Sequence, residues 1–265
     1  MNIRTLHHGD VPLCLELCAE AGWNQTARDW LRMMALAPTG CFGIDAGQRL
    51  VATATVVSYG QQLAWIGMVL VRPAHRGQGL ARALLQHALD YGRQHKIACL
   101  KLDATALGEP VYRKLGFVEE CGVERWVRQP GPAVPLKHTA RYVFQAAVDR
   151  HAFGADRSAL LWLLEREEAF STGDGSYALG RPGTSASYFG PCVTASDPSG
   201  PTLLACFLAS HIHRPVFWDR FSANAARQGA LFDFAPVRHL KRMYLGENIA
   251  GDPAHQFALA GFELG

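Results

Sequence analysis

The residues able to do chemistry in this chain concentrate between Trp65 and Phe117. The first group is Arg76-Gly77-Gln78-Gly79-Leu80-Ala81, a glycine turn joining a buried apolar run, Ala64 to Val71, to an amphipathic helix. The first amides of such a helix have no intrahelical partner, and the helix dipole leaves partial positive charge there. Gly77 and Gly79 carry no Cβ, so a phosphate can lie against the backbone, and Arg76 adds a fixed cation. Spacing separates the phosphate-binding loops. The dinucleotide fingerprint needs glycine or alanine three places after Gly79, where Arg82 stands, and no Gly-Lys-Ser/Thr ending follows for a triphosphate loop. Arg76-x-x-Gly79-x-Ala81 is what fits, against the bland reading of a glycine turn that only permits close packing. The second group is carboxylate chemistry at Asp103, which ends another buried run, Ile97 to Asp103, where open sheets place working residues. Asp103-Ala104-Thr105 equally suits a local cap before a turn. His75 reads as an exposed loop histidine, and nothing in the spacing of His7 and His8 requires a role.

These groups need elements to hold them. Periodicity predicts a strand at Ile3 to Leu6, a helix from Val11 to Ala21 capped by Asp10 with Pro12 in its first turn, and a connector Trp23-Asn24-Gln25. Thr26 with Asp29 three places on is a capping box for a second helix to about Ala37. Strands Cys41 to Asp45, Leu50 to Ser58 and Gln62 to Val71 follow, then the helix from Gly77 to about His95 and a strand Ile97 to Asp103. A helix Pro110 to Leu115 and strands near Phe117 and Arg125 complete the unit. Gly67 inside its strand marks a bulge or a close approach, or only packing against Trp65.

Arg76-x-x-Gly79-x-Ala81 resembles the pyrophosphate loop of the GNAT superfamily of acetyl-CoA-dependent N-acetyltransferases, whose pattern is Gln/Arg-x-x-Gly-x-Gly/Ala. Tyr112-x-x-x-Gly116-Phe117 resembles the helix and strand that close that superfamily's cofactor site. The β-α-α-β-β-β-α-β-α-β order also matches, so the resemblance covers about Asn2 to Arg128. It implies acetyl-CoA as acyl donor, with the phosphates on Arg76, Gly77, Gln78, Gly79, Leu80 and Ala81. It implies a splayed strand whose backbone at Met68, Val69 and Val71 pairs with the pantetheine amides. The Val69 amide is then the donor to the thioester oxygen, and Tyr112 protonates the departing sulfur, the alternative being a tyrosine that packs the last helix. Asp103 is a candidate base beside a water chain with no dedicated base. Trp23 and Asn24 would border the acceptor pocket, or Trp23 would anchor the helical pair to the core.

Composition excludes other classes. With 49% hydrophobic and 18% charged residues in 265, the chain has apolar residues for sizeable cores and length for two domains. A net charge of +3 without a long basic run argues against nucleic acid. No apolar stretch approaches the ~20 residues of a membrane span, and the start lacks the apolar core of a signal peptide. The seven cysteines sit mostly in apolar runs without a Cys-x-x-Cys pair, which suits a reducing, cytoplasmic setting and argues against disulfides and zinc ligands; no metal is expected.

The proline-rich stretch 130–138 divides the chain into 1–129 and 139–265. Beyond it the pattern partly repeats: a helix Asp156 to Glu168, strands Ser176 to Leu179 and Ser187 to Thr194, a helix Pro201 to about His211, a strand Val216 to Asp219, a helix Asn224 to Leu231, and strands at Phe232 and Val237 to Met243. Its loop, Ala195-Ser196-Asp197-Pro198-Ser199-Gly200-Pro201, has no Arg-x-x-Gly-x-Ala, and Gly229 stands where the phenol would be. The whole resembles tandem GNAT proteins with a degenerate second copy, in which Arg157 or Tyr244 could serve the substrate. The fold expected is α/β, two tandem GNAT-like domains, each a mixed central sheet flanked by helices. The function expected is acetyl transfer from CoA to a small-molecule or peptide amine by direct attack. An acyl-CoA sensor without turnover and a transferase for longer acyl chains are the alternatives.

Overall fold

A computed structural model of the chain describes residues 2–132, 134, 146–225 and 232–265. The first half runs β1 (Ile3–Thr5), α1 (Val11–Glu20), α2 (Ala27–Leu36), β2 (Cys41–Ala46), β3 (Arg49–Tyr59), β4 (Leu63–Val71), α3 (Leu80–Gln94), β5 (Cys99–Ala104), α4 (Glu109–Lys114) and β6 (Val118–Arg128). The second adds α5 (Ala146–Phe153), α6 (Ser158–Leu164), β7 (Glu168–Ser171), β8 (Tyr177–Arg181), β9 (Ser187–Val193), α7 (Ser199–Ser210), β10 (Val216–Phe221), β11 (Ala235–Gly246) and β12 (Gln256–Ala258).

Local chemistry sets most of these boundaries. Thr26 accepts from the Asp29 amide while Asp29 accepts from the Thr26 amide, the predicted capping box of α2. Asp10 stands at the start of α1 without capping it, because Arg4 and the His7 amide hold its carboxylate. Gly79, at φ +78°, turns the chain into α3, whose Leu80, Leu84, Leu85, Ala88 and Leu89 are buried. Three expectations need correction. The helix at 156–168 is shorter, Ser158–Leu164, because Glu168 onward joins the sheet against β8. The strands near Phe117 and Arg125 are one continuous strand, β6, held by two neighbours along its length. Ser222–Asn224 is a 3-10 turn. Residues 226–231 of the expected helix Asn224 to Leu231, and 133 and 135–138 of the proline-rich stretch, lie outside the described residues.

The described strands join into one sheet, ordered β1-β2-β3-β4-β5-β11-β6-β10-β9-β8-β7, with β12 paired to β9. The repeat is visible in its pairing. β4 and β5 run parallel over three residue pairs, Leu63↔Cys99 to Trp65↔Lys101, then part; β9 and β10 do the same from Ser187↔Val216 to Phe189↔Trp218. Each unit lends its last long strand to the other. β11 lies antiparallel to β5, β6 lies antiparallel to β10, and β6 and β11 pair with each other between them. One face carries α3 and α4 over a core with Leu84, Leu102, Tyr112 and Phe117; the other carries α1, α2, α5 and α6 over a core running from Trp30 and Trp65 to Leu161 and Leu264. That second core draws side chains from both halves, so neither half has a complete interior of its own.

The two gaps are treated differently. In the second unit β12 fills the opening between β9 and β10. It pairs with β9 through Gln256↔Val193 and Ala258↔Cys192, while the Leu259 amide donates to the Asp219 carbonyl (2.8 Å) and Trp218 Nε1 to the Phe257 carbonyl (2.9 Å). Among the described residues no helix is long and apolar enough to cross a membrane, and all seven cysteines are free.

Candidate active site

The gap of the first unit stays open, and its cause lies in β4. Thr55 pairs with Gly67 and Thr53 with Leu70, so Met68 and Val69 together face the single residue Ala54. Met68 takes φ +50°, rare for a residue with a side chain, and its carbonyl accepts from Thr53 Oγ1 (2.8 Å). The β5 ladder has already ended at Trp65. Met68 and Val69 therefore have no ladder partner on either side, which is the backbone a pantetheine chain could pair with. Gly67 resolves as a close approach: a Cβ there would lie 2.7 Å from the Glu263 carbonyl and 3.0 Å from its Cα.

At one end of this opening is the glycine loop. Gly77 (φ +77°) and Gly79 (φ +78°) both need the left-handed region, and a Cβ on either would meet nothing within 4 Å, so the loop faces open space. Arg76 is exposed, with Nε donating to the Val71 carbonyl at 3.2 Å. Leu80 is buried in the core, so only its backbone is available. Behind the loop, buried Arg72 is fastened by Glu16 (2.7 Å), Glu20 and the Leu50 carbonyl (2.7 Å), which fixes the chain as it leaves β4.

A cavity of about 610 Å³ continues from the loop through the sheet. It reaches Arg76, Ala81, Met68, Val69, Val71 and Tyr112 from the α3 side, and Trp23 and Asn24 from the α1–α2 connector. The Tyr112 ring packs edge-on near Phe117, with centroids 6.1 Å apart, and burial pushes its hydroxyl up to about 12. That hydroxyl has no hydrogen-bond partner among the described residues, so at neutral pH it is a protonated group open to the cavity.

Two candidates line the cavity with their polar atoms already engaged. Asp103 lines the cavity, but both its oxygens accept from Arg242, at 2.9 and 3.0 Å, in a pair that is fully buried. Burial pushes its carboxyl up, against the pull of Arg242. A proton could reach it only in competition with the guanidinium. Asn24 is committed to the fold: its Nδ2 donates to the Ala186 carbonyl (2.9 Å), and its Oδ1 accepts from the Ser185 amide (2.6 Å), the Ser185 hydroxyl (2.9 Å) and the Ala186 amide (3.1 Å). Arg157 is likewise structural, buried and clasped to Asp149 with Nη2–Oδ1 at 2.8 Å, and Tyr244 packs at the edge of the core.

The second half supplies walls that no motif announced: Phe217, Val237, Arg238, Leu240, Phe262 and Glu263, with Arg125 from the exchanged strand. Only the sheet order brings them here. Among the described residues the one group of metal-capable side chains, His151, Asp252 and His255, lies outside the cavity.

Comparison with known proteins agrees with this geometry. Residues 13–117 match the profile of the acetyltransferase (GNAT) family. Streptothricin acetyltransferase of Streptomyces lavendulae is 33% identical over 85 residues, which are 31% of this chain and 44% of that protein, so the chain spans less than half of that relative. Holothin acyltransferase of Pseudoalteromonas sp. (strain SANK 73390) is 26% identical over 263 residues, 92% of this chain and 87% of that protein. Among solved structures, a Pyrococcus horikoshii protein assigned as an acetyltransferase superposes with TM-score 0.86 at 21% identity, covering 100% of this chain and 95% of that one. A tandem GNAT protein from the clavulanic acid biosynthesis pathway superposes with TM-score 0.64 at 16% identity, covering 92% and 98%. The two structural likenesses give the fold, and they extend it over the second half.

Proposed function

We propose that the chain, whose residues 13–117 match the GNAT family, is an N-acyltransferase that moves an acetyl group from acetyl-CoA to the amine of a small molecule or peptide. The observation that carries this is the open, bulged gap at Met68–Val69, running from the glycine loop to the Tyr112 hydroxyl. Acetyl-CoA supplies the thioester whose carbonyl carbon the amine attacks directly, forming C–N as C–S breaks. Everything else is done by the chain. Arg76 and the amides from Gly77 to Ala81 hold the phosphates, where Gly77 and Gly79 leave room for them. The backbone of Met68, Val69 and Val71, past the end of the β5 ladder, positions the pantetheine, and the Val69 amide donates to the carbonyl oxygen. Tyr112 delivers a proton to the sulfur. The amine arrives neutral, at a cost of about 4–5 kcal/mol for an alkylamine near pH 7, and gives up its proton through water. Asp103 holds Arg242 and orients the exchanged strand beside the reaction.

The two units, 1–129 and 139–265, work as one body with one cofactor site, because β12 occupies the gap of the second. The free thiols suit a cytoplasmic setting. A second reading, transfer of a longer acyl chain, is favoured by the size of the cavity, about 610 Å³, and by the acyltransferase name of the Pseudoalteromonas relative. Calorimetric titration tests the main reading: one CoA per chain is expected, and Gly79→Glu, which puts bulk and negative charge on the phosphate path, should abolish binding in a folded protein. A stoichiometry of two, or undiminished affinity in Gly79→Glu, places the cofactor elsewhere. Acetyl-, butyryl- and octanoyl-CoA compared in turnover separate the two donors.

A further inference from the structure

Five charged side chains line the cavity: Arg76, Asp103, Arg125, Arg238 and Glu263. Four are satisfied. Arg76 stands at the glycine loop and donates to the Val71 carbonyl. Asp103 is paired with Arg242, and Glu263 with Arg181 at 2.8 Å. Arg125 grips Asp219 with two bonds of 2.7 Å, and its guanidinium lies among the rings of Tyr188, Phe217 and Phe262. Arg238 has neither an ion pair nor a hydrogen bond among the described residues, and it is half-buried. Burial lowers its pKa, and Arg125, its cross-strand neighbour in the register of β11 and β6, lowers it further. A cation in that position gains from an anion that the protein itself does not supply.

Its placement says which ligand would bring the anion. Arg238, Leu240 and Arg242 alternate along β11 on one face. Arg242 lies over Trp65, in the core beneath α1 and α2, and Arg238 faces Trp23 with 5.9 Å to the ring centroid. That is the side of the sheet opposite α3 and its glycine loop. The phosphates would be held on one side of the gap; the surplus positive charge lies on the other, where the acceptor must come in.

Resting on the acetyl-transfer reading of this same cavity, we propose that Arg238 is a specificity residue for the acceptor, binding a carboxylate of the amine substrate over the Trp23 ring. The surplus is a single positive charge, which one carboxylate neutralises, whereas a phosphate dianion would leave a second negative charge uncompensated. The acceptors are therefore amino acids, or peptides presenting a carboxylate near the amine, and not polyamines or simple alkylamines.

The test pairs each of the twenty L-amino acids with its carboxamide as acceptor, with acetyl-CoA, reading thiol release and product mass. At least one amino acid should exceed its carboxamide tenfold or more in kcat/KM. Arg238→Gln should bring that pair within about threefold by raising KM for the acid, and Arg238→Lys should keep most of the preference, while acetyl-CoA affinity stays at the wild-type value in both. A second readout is independent of turnover: N-acetyl amino acids, titrated calorimetrically into the CoA-loaded protein, should bind better than their amides, and Arg238→Gln should erase the difference. Equal use of acids and amides, equal binding of their N-acetyl forms, or a preference that survives Arg238→Gln overturns the proposal. Failure of the transferase reading looks different, as absence of CoA binding or of turnover with every amine, and the calorimetric comparison, run on the protein without CoA, then decides the anion site by itself.

Discussion

Tyr112 and Asn24 show how much a single side chain's surroundings decide. The Tyr112 hydroxyl is protonated, on a largely buried ring, and without a hydrogen-bond partner among the described residues, so Tyr112→Phe keeps the packing against Phe117 and removes only the hydroxyl. We expect kcat to fall roughly 10- to 1,000-fold with acetyl-CoA affinity unchanged, read by steady-state kinetics and calorimetry. The sign of the pH dependence follows: an acid near 12 is protonated everywhere below that value. So kcat/KM should climb with pH as the amine deprotonates, without an alkaline fall before about pH 11. A descending limb near neutrality would point to another acid. For Asn24 the expectation is the opposite kind. Asn24→Ala orphans the Ser185 and Ala186 amides, at about 1–3 kcal/mol for each buried group. Urea denaturation should show a loss of that size, and an unchanged midpoint with a raised acceptor KM would return Asn24 to the substrate.

At the scale of elements, the bulge in β4 and the terminal segment beyond β12 form one device. The Trp65 indole donates to the Phe262 carbonyl (3.0 Å) and the Tyr59 hydroxyl to the Leu264 carbonyl (2.7 Å), which draws residues 262–264 beneath β4. Gly67 permits this contact because its missing Cβ is the space the Glu263 backbone uses. Gly67→Ala should therefore push the segment off β4, costing about 1–3 kcal/mol by overpacking. Its functional mark is a higher acceptor KM with acetyl-CoA affinity nearly kept, since Phe262 and Glu263 wall the acceptor side. Wild-type stability in Gly67→Ala would show that the segment yields without cost.

The whole molecule is an exchange of strands between two copies of one plan. β11 sits between β5 and β6, and the core beneath α1 and α2 needs Leu160, Leu161, Leu164 and Tyr177 from the second half. Ion pairs cross the same boundary: Asp29 with Arg181 (3.0 Å), Glu167 with Arg28 (2.7 Å), and Asp103 with Arg242 (2.9 Å). Residues 1–129 expressed alone should fail to give a folded monomer, because β5 and β6 would each show an unpaired edge over an exposed apolar face. The intact chain should melt in one calorimetric transition, and co-expression of the halves should restore a soluble pair. A folded, CoA-binding first half would falsify this account of the sheet.

The amino-acid sequence alone was enough for the parts whose physics is local. The glycine loop, the capping box at Thr26, the face of α3 and the order of elements through Phe117 each rest on residues a few places apart, and each stands where its spacing put it. The repeat beyond the proline-rich stretch was legible too, because strand–helix alternation survives when the loop chemistry does not. What the tertiary structure decided is everything that depends on which strands lie side by side. Arg238, Phe262 and Glu263 are more than a hundred positions from Tyr112 and carry no local signature, so only the order β5-β11-β6-β10 could bring them to the cavity. The same order turned Asp103 from a free carboxylate into the partner of Arg242. A strand's neighbour is chosen by the burial of whole faces and the pairing of whole edges, and that choice is written in no single stretch of the chain.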